Sequence, residues 1–240
     1  MTGGRRTTTL VLLPGMDGSG DLFAGFAAEW QRLEPAIPIL VLRYPPDQAL
    51  GYAELAAYVR ARLPRGKDWV VLGESFSGPI AVMLAAAPGL LGLILCGTFL
   101  RNPAGGLRHL RSLLRWLPQP PRPLLRRYLM GEAAGTPVET ALRTALASLK
   151  PGVLAARMAA VLDVDVRVDC ARIRVPVLYL RAKRDRLIAP RVAEEIRRLL
   201  PQMRVADFDA PHLLLQTRPR ETALETHRFV AGLVCAGTPA

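Results

Sequence analysis

The chain has 240 residues, of which 50% are hydrophobic and 22% charged, so it can bury a large core and is too apolar for a disordered charged protein. Its formal net charge of +12 comes almost entirely from arginine, and no basic run alternates with aromatic residues, so we predict no nucleic-acid partner. No apolar run reaches the roughly 18–20 residues that span a bilayer, and the amino terminus lacks the apolar stretch of a secretory signal, which predicts a cytoplasmic protein without integral membrane association.

Short apolar runs alternate with amphipathic segments along the chain, as in a parallel sheet flanked by helices. The runs are apolar on both faces, which is typical of strands covered on both sides. We therefore expect a single α/β domain over residues 1–240, with a mostly parallel sheet of about six strands. The predicted strands are Thr7–Leu13, Ile37–Leu42, Trp69–Leu72, Leu91–Cys96, Val175–Leu180 and Arg204–Phe208. The predicted helices are Asp21–Leu33, Tyr52–Leu63, Phe76–Ala87, Arg191–Leu200 and Arg220–Val234.

One segment, from about residue 101 to residue 170, interrupts this alternation. It contains no convincing strand, only short helical pieces separated by prolines, and it is rich in arginine. An insertion of this size after the fourth strand predicts a helical cap over a site, on a core of residues 1–100 and 171–240. In the cap, arginines and leucines fall on different helical faces, so we expect the arginines to face solvent and the leucines to face a pocket or the core. These residues are the arginines from 108 to 127, namely Arg108, Arg111, Arg115, Arg122, Arg126 and Arg127, and the leucines Leu107, Leu110, Leu114, Leu117 and Leu125.

The clearest chemical signal is Gly73-Glu74-Ser75-Phe76-Ser77-Gly78, where a buried strand ends and a helix begins. A nucleophile on such a sharp turn needs small residues two positions before and two positions after it. Gly73 and Ser77 flank Ser75 in this way, whereas a turn centred on Ser77 would place Pro79 at a position that needs a small residue. Ser75 is therefore the predicted nucleophile. The alternative is an ordinary strand-to-helix turn with a capping serine.

The loop after the first strand, residues 14–20, is rich in glycine and precedes a helix. An alkoxide that develops on a tetrahedral intermediate needs preorganised N–H donors. In this architecture they come from the first loop and from the residue after the nucleophile, so we predict the N–H groups of Met16 and Phe76. A phosphate-binding loop is the alternative. The glycine spacing, however, fits neither the G-x-G-x-x-G pattern nor the P-loop, and no lysine is near. Asp17 is expected to be a turn residue.

A serine nucleophile needs a base, and the chain has three histidines. His212 lies in the loop after the last predicted strand and therefore returns to the carboxyl edge of the sheet, where Ser75 also lies. We predict that His212 is the general base. His109 lies in the predicted cap with no carboxylate nearby, and His227 lies within the last predicted helix, where an exposed or capping role is expected.

The third group should be an acid that orients the imidazole and stabilises its charged form. No aspartate occurs between Trp69 and Leu162, so an acid directly after the fourth strand is excluded. Asp185 follows the fifth strand and is the predicted acid; the alternative is a surface ion pair with one of its basic neighbours. Three other aspartates precede that strand and would emerge at its opposite end, namely Asp163, Asp165 and Asp169.

The order Ser75, Asp185, His212 and the strand–turn–helix setting of the serine resemble the α/β-hydrolase-fold serine hydrolases over nearly the whole chain. The resemblance implies that these three residues are nucleophile, acid and base. It also implies an oxyanion hole formed by the backbone N–H groups of Met16 and Phe76. Such an enzyme would hydrolyse a carboxylic ester through an acyl-enzyme.

Three positions depart from the usual pattern of that family. Pro14-Gly15 stands where a His-Gly pair is frequent, Ser77 replaces a glycine, and Ala182 stands where a glycine often precedes the acid. Every reacting group is still present, but the departures leave the subfamily open. We expect a small-to-medium apolar acyl ester as the small-molecule substrate, and the sequence leaves the oligomeric state open. The alternatives are a thioesterase or acyltransferase acting on a carrier-bound acyl group, and a non-catalytic ligand-binding protein.

No cofactor or metal is expected. The three cysteines are odd in number and too widely spaced for a disulfide framework or a zinc site, so we expect reduced thiols at Cys96, Cys170 and Cys235.

Overall fold

The computed structural model of the protein describes residues 7–103, 123, 126–131 and 134–236. Within this part of the chain, six strands form one parallel sheet in the order β2-β1-β3-β4-β5-β6. This confirms the predicted fold class. The strands are β1 (Thr8–Leu13), β2 (Ile39–Val41), β3 (Asp68–Glu74), β4 (Leu90–Cys96), β5 (Val177–Ala182) and β6 (Arg204–Phe208).

The helices of the described residues cover both faces of the sheet or lie in the segment between β4 and β5. The α-helices are α1 (Ala24–Leu33), α2 (Tyr52–Arg60), α3 (Gly78–Met83), α4 (Pro137–Ala147), α5 (Val153–Asp163), α6 (Pro190–Leu199), α7 (Leu214–Thr217) and α8 (Pro219–Ala236). Tighter turns of 3₁₀ type are found at Asp21–Phe23, Ser75–Ser77 and Arg167–Arg172, and a π-helical turn at Arg126–Met130. No described helix combines the length and the apolarity that crossing a bilayer requires.

Prolines explain the observed starts of two strands, each two residues later than predicted. Strands β2 and β5 begin directly after Pro38 and Pro176, because proline has no N–H group to donate to a neighbouring strand. The third predicted helix extends too far, since α3 ends at Met83 and the following residues turn towards Pro88 and Gly89, where the backbone is left-handed (φ 84°).

The core consists of two apolar layers on the two faces of the sheet. Alternate residues of each central strand enter opposite layers, as Val11 and Leu12 do in β1. One layer also contains Phe26 and Trp30 of α1, and Phe229 of α8. Because successive side chains of a strand point to opposite faces, strands covered on both sides must be apolar at every position.

The register of the sheet brings the carboxyl ends of the strands to one edge. Leu13 pairs with Gly73, Glu74 with Cys96, and Ala182 with Phe208. The loops that follow β1, β3, β4, β5 and β6 therefore start next to one another. Ligand sites of parallel sheets form outside this edge.

The segment between β4 and β5 is helical where it is described. Its two ends pair with each other through an isolated bridge between Arg101 and Asp165. Its backbone also contacts the rest of the chain, through hydrogen bonds from Lys150 N–H to the carbonyl of Pro46 and from Leu213 N–H to that of Leu129. Met130 and α4 pack with Leu22 and Leu213 in a small apolar cluster beside the loop of the predicted base. The division of the chain into core and cap stays a prediction. The predicted faces of the cap helix, from Leu107 and Arg108 to Leu117, as well as His109 and Leu125, lie outside the described residues.

Candidate active site

Ser75 lies on the sharp turn between β3 and α3. Its φ of 48° makes it the one described residue other than glycine with a left-handed backbone, a conformation that costs a non-glycine residue of order 1 kcal/mol or more. The turn requires two glycines: a Cβ at Gly73 would lie 2.8 Å from the carbonyl oxygen of Ser77, and one at Gly78 would collide with Thr98. The small side chain of Ser77 fits the turn and is itself fully buried.

A continuous relay of hydrogen bonds connects the three predicted catalytic residues. The Ser75 Oγ atom lies 2.9 Å from Nε2 of His212, and Nδ1 of His212 lies 2.7 Å from Oδ2 of Asp185. The side chains of His212 and Asp185 are only 3% and 5% exposed. The structure therefore brings together residues that are 137 and 27 positions apart, in the geometry that a nucleophile, its base and an orienting acid need.

The carboxylate of Asp185 is fixed by its own loop. Its Oδ1 atom accepts hydrogen bonds from the N–H groups of Leu187 and Ile188, both at 2.8 Å, which leaves Oδ2 for the imidazole. Two of its basic neighbours have other partners: Arg184 pairs with Asp209 at 2.7 Å, and Arg186 donates to the carbonyl of Arg127 at 3.5 Å. The surface ion pair that was the alternative for Asp185 is thus not observed. Asp165 and Asp169 instead pair with arginines two and three positions after them, at 2.6 and 3.1 Å.

The pKa of His212 reflects two opposing influences. Burial of the ring favours the neutral form, but the adjacent charge and hydrogen bond of Asp185, with a smaller contribution from Glu74, favour the imidazolium, and the pKa is raised overall above 6.5. The acceptor on Nδ1 fixes the tautomer that presents the Nε2 lone pair to Ser75. Such an imidazole is set up to take a proton from the hydroxyl.

The backbone around Ser75 is held by buried hydroxyl groups. Thr98 donates its hydroxyl hydrogen to the carbonyl oxygen of Ser75, and the Tyr179 hydroxyl donates to the carbonyl of Thr98 at 3.0 Å. Phe76 is buried and stacks on Tyr52 with ring centroids 4.7 Å apart. These contacts fix the peptide groups on both sides of the turn.

The loop after β1, residues 14–19, faces this turn. Asp17 is buried, and its Oδ2 atom accepts hydrogen bonds from the N–H group of Ser19 at 2.9 Å and from its hydroxyl at 2.6 Å. This confirms the predicted turn role of Asp17. Among the described residues, the N–H group of Met16 has no hydrogen-bond partner. The roles of Met16 and Phe76 as oxyanion donors stay a prediction.

Ser77 and Glu74 connect the two loops. The Ser77 hydroxyl contacts that of Tyr44 and donates to the carbonyl oxygen of Pro14. Glu74 is buried and accepts a hydrogen bond from the Gln216 amide at 2.9 Å. Burial raises the pKa of Glu74 to about 7, although the hydrogen bond from Gln216 opposes this shift.

Sequence reasoning did not identify Glu74, Thr98, Tyr179 or Gln216 as parts of the site. For Glu74 a signal existed, because a carboxylate between a buried strand and a buried turn must itself be buried. The other three carried no local signal.

His227 contacts Glu34 through Nε2 at 3.2 Å, so it is remote from the relay. No group of three or more potential metal ligands occurs among the residues that the structure describes.

Comparison with known proteins places this arrangement in a family context. Residues 6–225 match the family model described as "Alpha/beta hydrolase family". A pimeloyl-[acyl-carrier protein] methyl ester esterase from Aromatoleum aromaticum is 29% identical, over 85% of this chain and 93% of that protein.

Solved structures agree in fold. A hydrolase from Pseudomonas aeruginosa superimposes with a TM-score of 0.76 at 21% identity, covering 93% of this chain and 90% of the other. An esterase from Exiguobacterium antarcticum gives a TM-score of 0.74 at 17% identity, covering 93% and 92%.

Proposed function

The chain belongs to the alpha/beta hydrolase family, and from this premise we propose that it is a serine hydrolase that cleaves a carboxylic ester of a small-to-medium apolar acyl group. The observation that carries the proposal is the relay from Asp185 through His212 to Ser75, with contacts of 2.7 and 2.9 Å. Binding alone would not require a nucleophile, a base and an acid joined by hydrogen bonds in this order. The non-catalytic alternative is therefore the weaker one.

In the proposed reaction, Nε2 of His212 takes the hydroxyl proton while Oγ of Ser75 attacks the ester carbonyl carbon. The negative charge moves to the carbonyl oxygen, where the N–H groups of Met16 and Phe76 would stabilise it. The carboxylate of Asp185 stabilises the imidazolium. Collapse of the intermediate breaks the bond to the alcohol, which leaves with the proton from His212.

The second half of the reaction repeats these steps with water. His212 removes a proton from a water molecule, the resulting hydroxide attacks the acyl-enzyme, and collapse returns a proton to Ser75 and releases the carboxylic acid. No cofactor takes part in either half. The acyl-enzyme should accumulate for esters of good leaving groups, which gives a burst of alcohol.

The test is a panel of p-nitrophenyl esters from acetate to decanoate, with Ser75→Ala as the control. We expect saturable hydrolysis by the wild-type protein and none above background by the variant. A fluorophosphonate should add to Ser75, and peptide mapping should find no label on Ser77. A wild-type protein that neither hydrolyses any ester nor takes up the label would refute the proposal, and label on Ser77 would reassign the nucleophile.

A second candidate is an acyl group attached to a carrier protein, because the relative from Aromatoleum aromaticum is named for such a substrate. Carrier proteins that are anionic would be attracted by this chain's net charge of +12, and salt would screen the attraction. The comparison is between one acyl methyl ester on its carrier and the same ester as a small molecule. A carrier-linked ester with the higher kcat/KM, whose advantage disappears in salt, would favour the second candidate.

A further inference from the structure

Arg157 of α5 is the only arginine that is buried among the described residues, with 1% of its surface exposed. Its guanidinium donates to none of the carboxylates in the described part of the chain. Instead, Nη1 donates to the carbonyl oxygens of Met16 at 2.8 Å and Asp17 at 2.9 Å, and Nη2 donates to that of Pro45 at 3.1 Å. Buried charges are normally paired with opposite charges. This one is stabilised by the backbone of the loop that contains the predicted oxyanion donor.

The guanidinium lies directly against that backbone. A Cβ atom at Gly18 would be 2.5 Å from Nη1 of Arg157, and the φ of Gly18 is +70°, a conformation that glycine adopts without strain. The loop can therefore make this contact only with glycine at position 18. The contact therefore depends both on the arginine at position 157 and on the glycine at position 18.

Two adjacent peptide groups are fixed by these contacts. Because each peptide group is planar, holding the carbonyls of Met16 and Asp17 orients the two peptide planes that follow Met16. Ser77 holds the carbonyl of Pro14 on the other flank. The peptide that carries the Met16 N–H lies between these two anchored parts of the loop.

We infer that Arg157 is a positioning residue for the oxyanion hole, which sets the direction of the Met16 N–H by holding the two carbonyls that follow it. The inference rests on the proposed function, because only in that reaction does the Met16 N–H group stabilise an oxyanion. Arg157 belongs to the helical segment between β4 and β5, so the position of this segment and the geometry of the oxyanion hole are linked.

A purely structural role, in which Arg157 only fastens α5 to the core, makes a different prediction. Loss of a fastening contact lowers the free energy of unfolding and leaves the chemistry of the folded enzyme unchanged. Loss of a positioning contact lowers kcat with little change in KM, since an oxyanion donor acts mainly in the transition state. Measuring kcat and KM separately therefore distinguishes the positioning role from the purely structural one.

The experiment compares Arg157→Met and Arg157→Lys with a matched control, Arg126→Ala. Arg126 pairs with Glu139 at 3.0 Å in the same segment and does not contact the loop. We measure kcat and KM for the best ester of the panel, and hydrogen–deuterium exchange of the amides of residues 15–19. The exchange readout needs no substrate.

We expect kcat to fall about 10²-fold in Arg157→Met, the size of effect that a displacement of about 1 Å can have, with KM within about twofold. Loop amides should exchange at least about tenfold faster. Arg157→Lys should be intermediate, because one ammonium nitrogen replaces the two guanidinium nitrogens that reach the loop and Pro45. Arg126→Ala should match the wild type in kcat and in loop exchange.

Unchanged kcat and unchanged loop exchange in Arg157→Met would overturn the inference, as would an equal loss in Arg126→Ala. If Arg157→Met does not fold, Arg157→Lys and Gly18→Ala disturb the same contact from its two sides, and wild-type values in both variants would overturn it. A wild-type protein inactive on all esters would refute the proposed function instead, while the exchange data would still decide whether Arg157 holds the loop.

Discussion

Asp185 is held by N–H groups two and three residues further along its own loop. The predicted oxyanion loop, residues 14–19, is held by the side chains of Ser77 and Arg157, 63 and 141 residues away from the residues they contact. The carboxylate on the acid side of the site is thus fixed by its own loop, whereas the predicted oxyanion side also depends on distant parts of the chain. A local turn forms wherever its few residues permit it. A loop held by distant residues reaches its native conformation only when the whole chain has folded. Substitutions should therefore affect the acid side and the predicted oxyanion side differently.

The largest effect is expected at Ser75, where the two sides meet. Ser75→Ala removes the proposed nucleophile and should lower kcat by about 10⁶-fold, as loss of the catalytic serine does in a serine protease. Steady-state hydrolysis of the best p-nitrophenyl ester measures this. Activity within tenfold of the wild type would mean that another group performs the attack.

The next largest effect tests the local side. Asp185→Asn should lower kcat about 10⁴-fold, because the imidazole loses the acceptor that selects its tautomer. Asp165→Asn and Asp169→Asn are the controls, since both aspartates pair with nearby arginines, and they should keep wild-type kcat. A normal kcat in Asp185→Asn together with a loss in either control would reassign the acid.

The pH profile sharpens this test. In the proposed reaction the neutral imidazole is the base, and the pKa of His212 is raised. Wild-type kcat/KM should therefore increase with pH through one midpoint above 6.5. In Asp185→Asn, burial remains without the opposing charge, so the midpoint of the residual activity should move to lower pH. A chelator should leave both profiles unchanged. Loss of activity with EDTA, restored by zinc, would contradict the proposed reaction.

A smaller effect is expected on the oxyanion side. Ser77→Ala removes the donor to the carbonyl of Pro14 and should lower kcat about tenfold, with the pH midpoint unchanged because the relay is untouched. The same kinetic series measures both values. A shifted midpoint with an unchanged kcat would show that the two sides are not separable in this way.

The smallest effect on turnover is expected for a substitution of Glu74, which should instead change how the free energy of unfolding depends on pH. In the folded protein its pKa is raised from the ordinary 4.5 to about 7, so the folded state keeps a proton that the unfolded state releases between these pH values. Stability is therefore lost as pH rises through this window, by up to about 3 kcal/mol from this group. Asp17, His212 and Cys96 are the titratable groups around it.

Urea unfolding at pH 4.5 and pH 7 measures this contribution. Glu74→Gln should abolish that part of the decrease in unfolding free energy, whereas Glu221→Gln, at an exposed position of α8, should keep the wild-type decrease. Equal decreases in Glu74→Gln and wild type would mean that Glu74 is ionised in the folded protein across this range.

The sequence was most informative where one short segment determines the outcome. Strands apolar on both faces were predicted within two residues of their observed ends, and the turn at Ser75 followed from the small residues beside it. Asp185 and His212 followed from chain order and from the shared edge of a parallel sheet. Each of these inferences uses periodicity or position along the chain.

What could not be predicted depends on contacts between distant residues. An arginine on an amphipathic helix normally lies in water, so nothing near Arg157 in the sequence indicated burial against a loop 141 residues away. The same holds for Thr98, whose hydroxyl contacts the backbone of Ser75 23 residues earlier. Such contacts follow from the packing of whole elements, which local patterns do not contain.

The strand order has a consequence for how the chain is synthesised. The first four strands form neighbouring positions β2-β1-β3-β4, so the turn at Ser75 and its contact with Pro14 can form from the first hundred residues as they leave the ribosome. The contacts of Arg157 with the loop after β1 form only later. The outer edge of β4 then remains unpaired until Val177 and the rest of β5 have been made, some eighty residues later. An unpaired apolar strand edge readily pairs with other chains. Protection of this edge during translation is therefore expected to determine the yield of active enzyme.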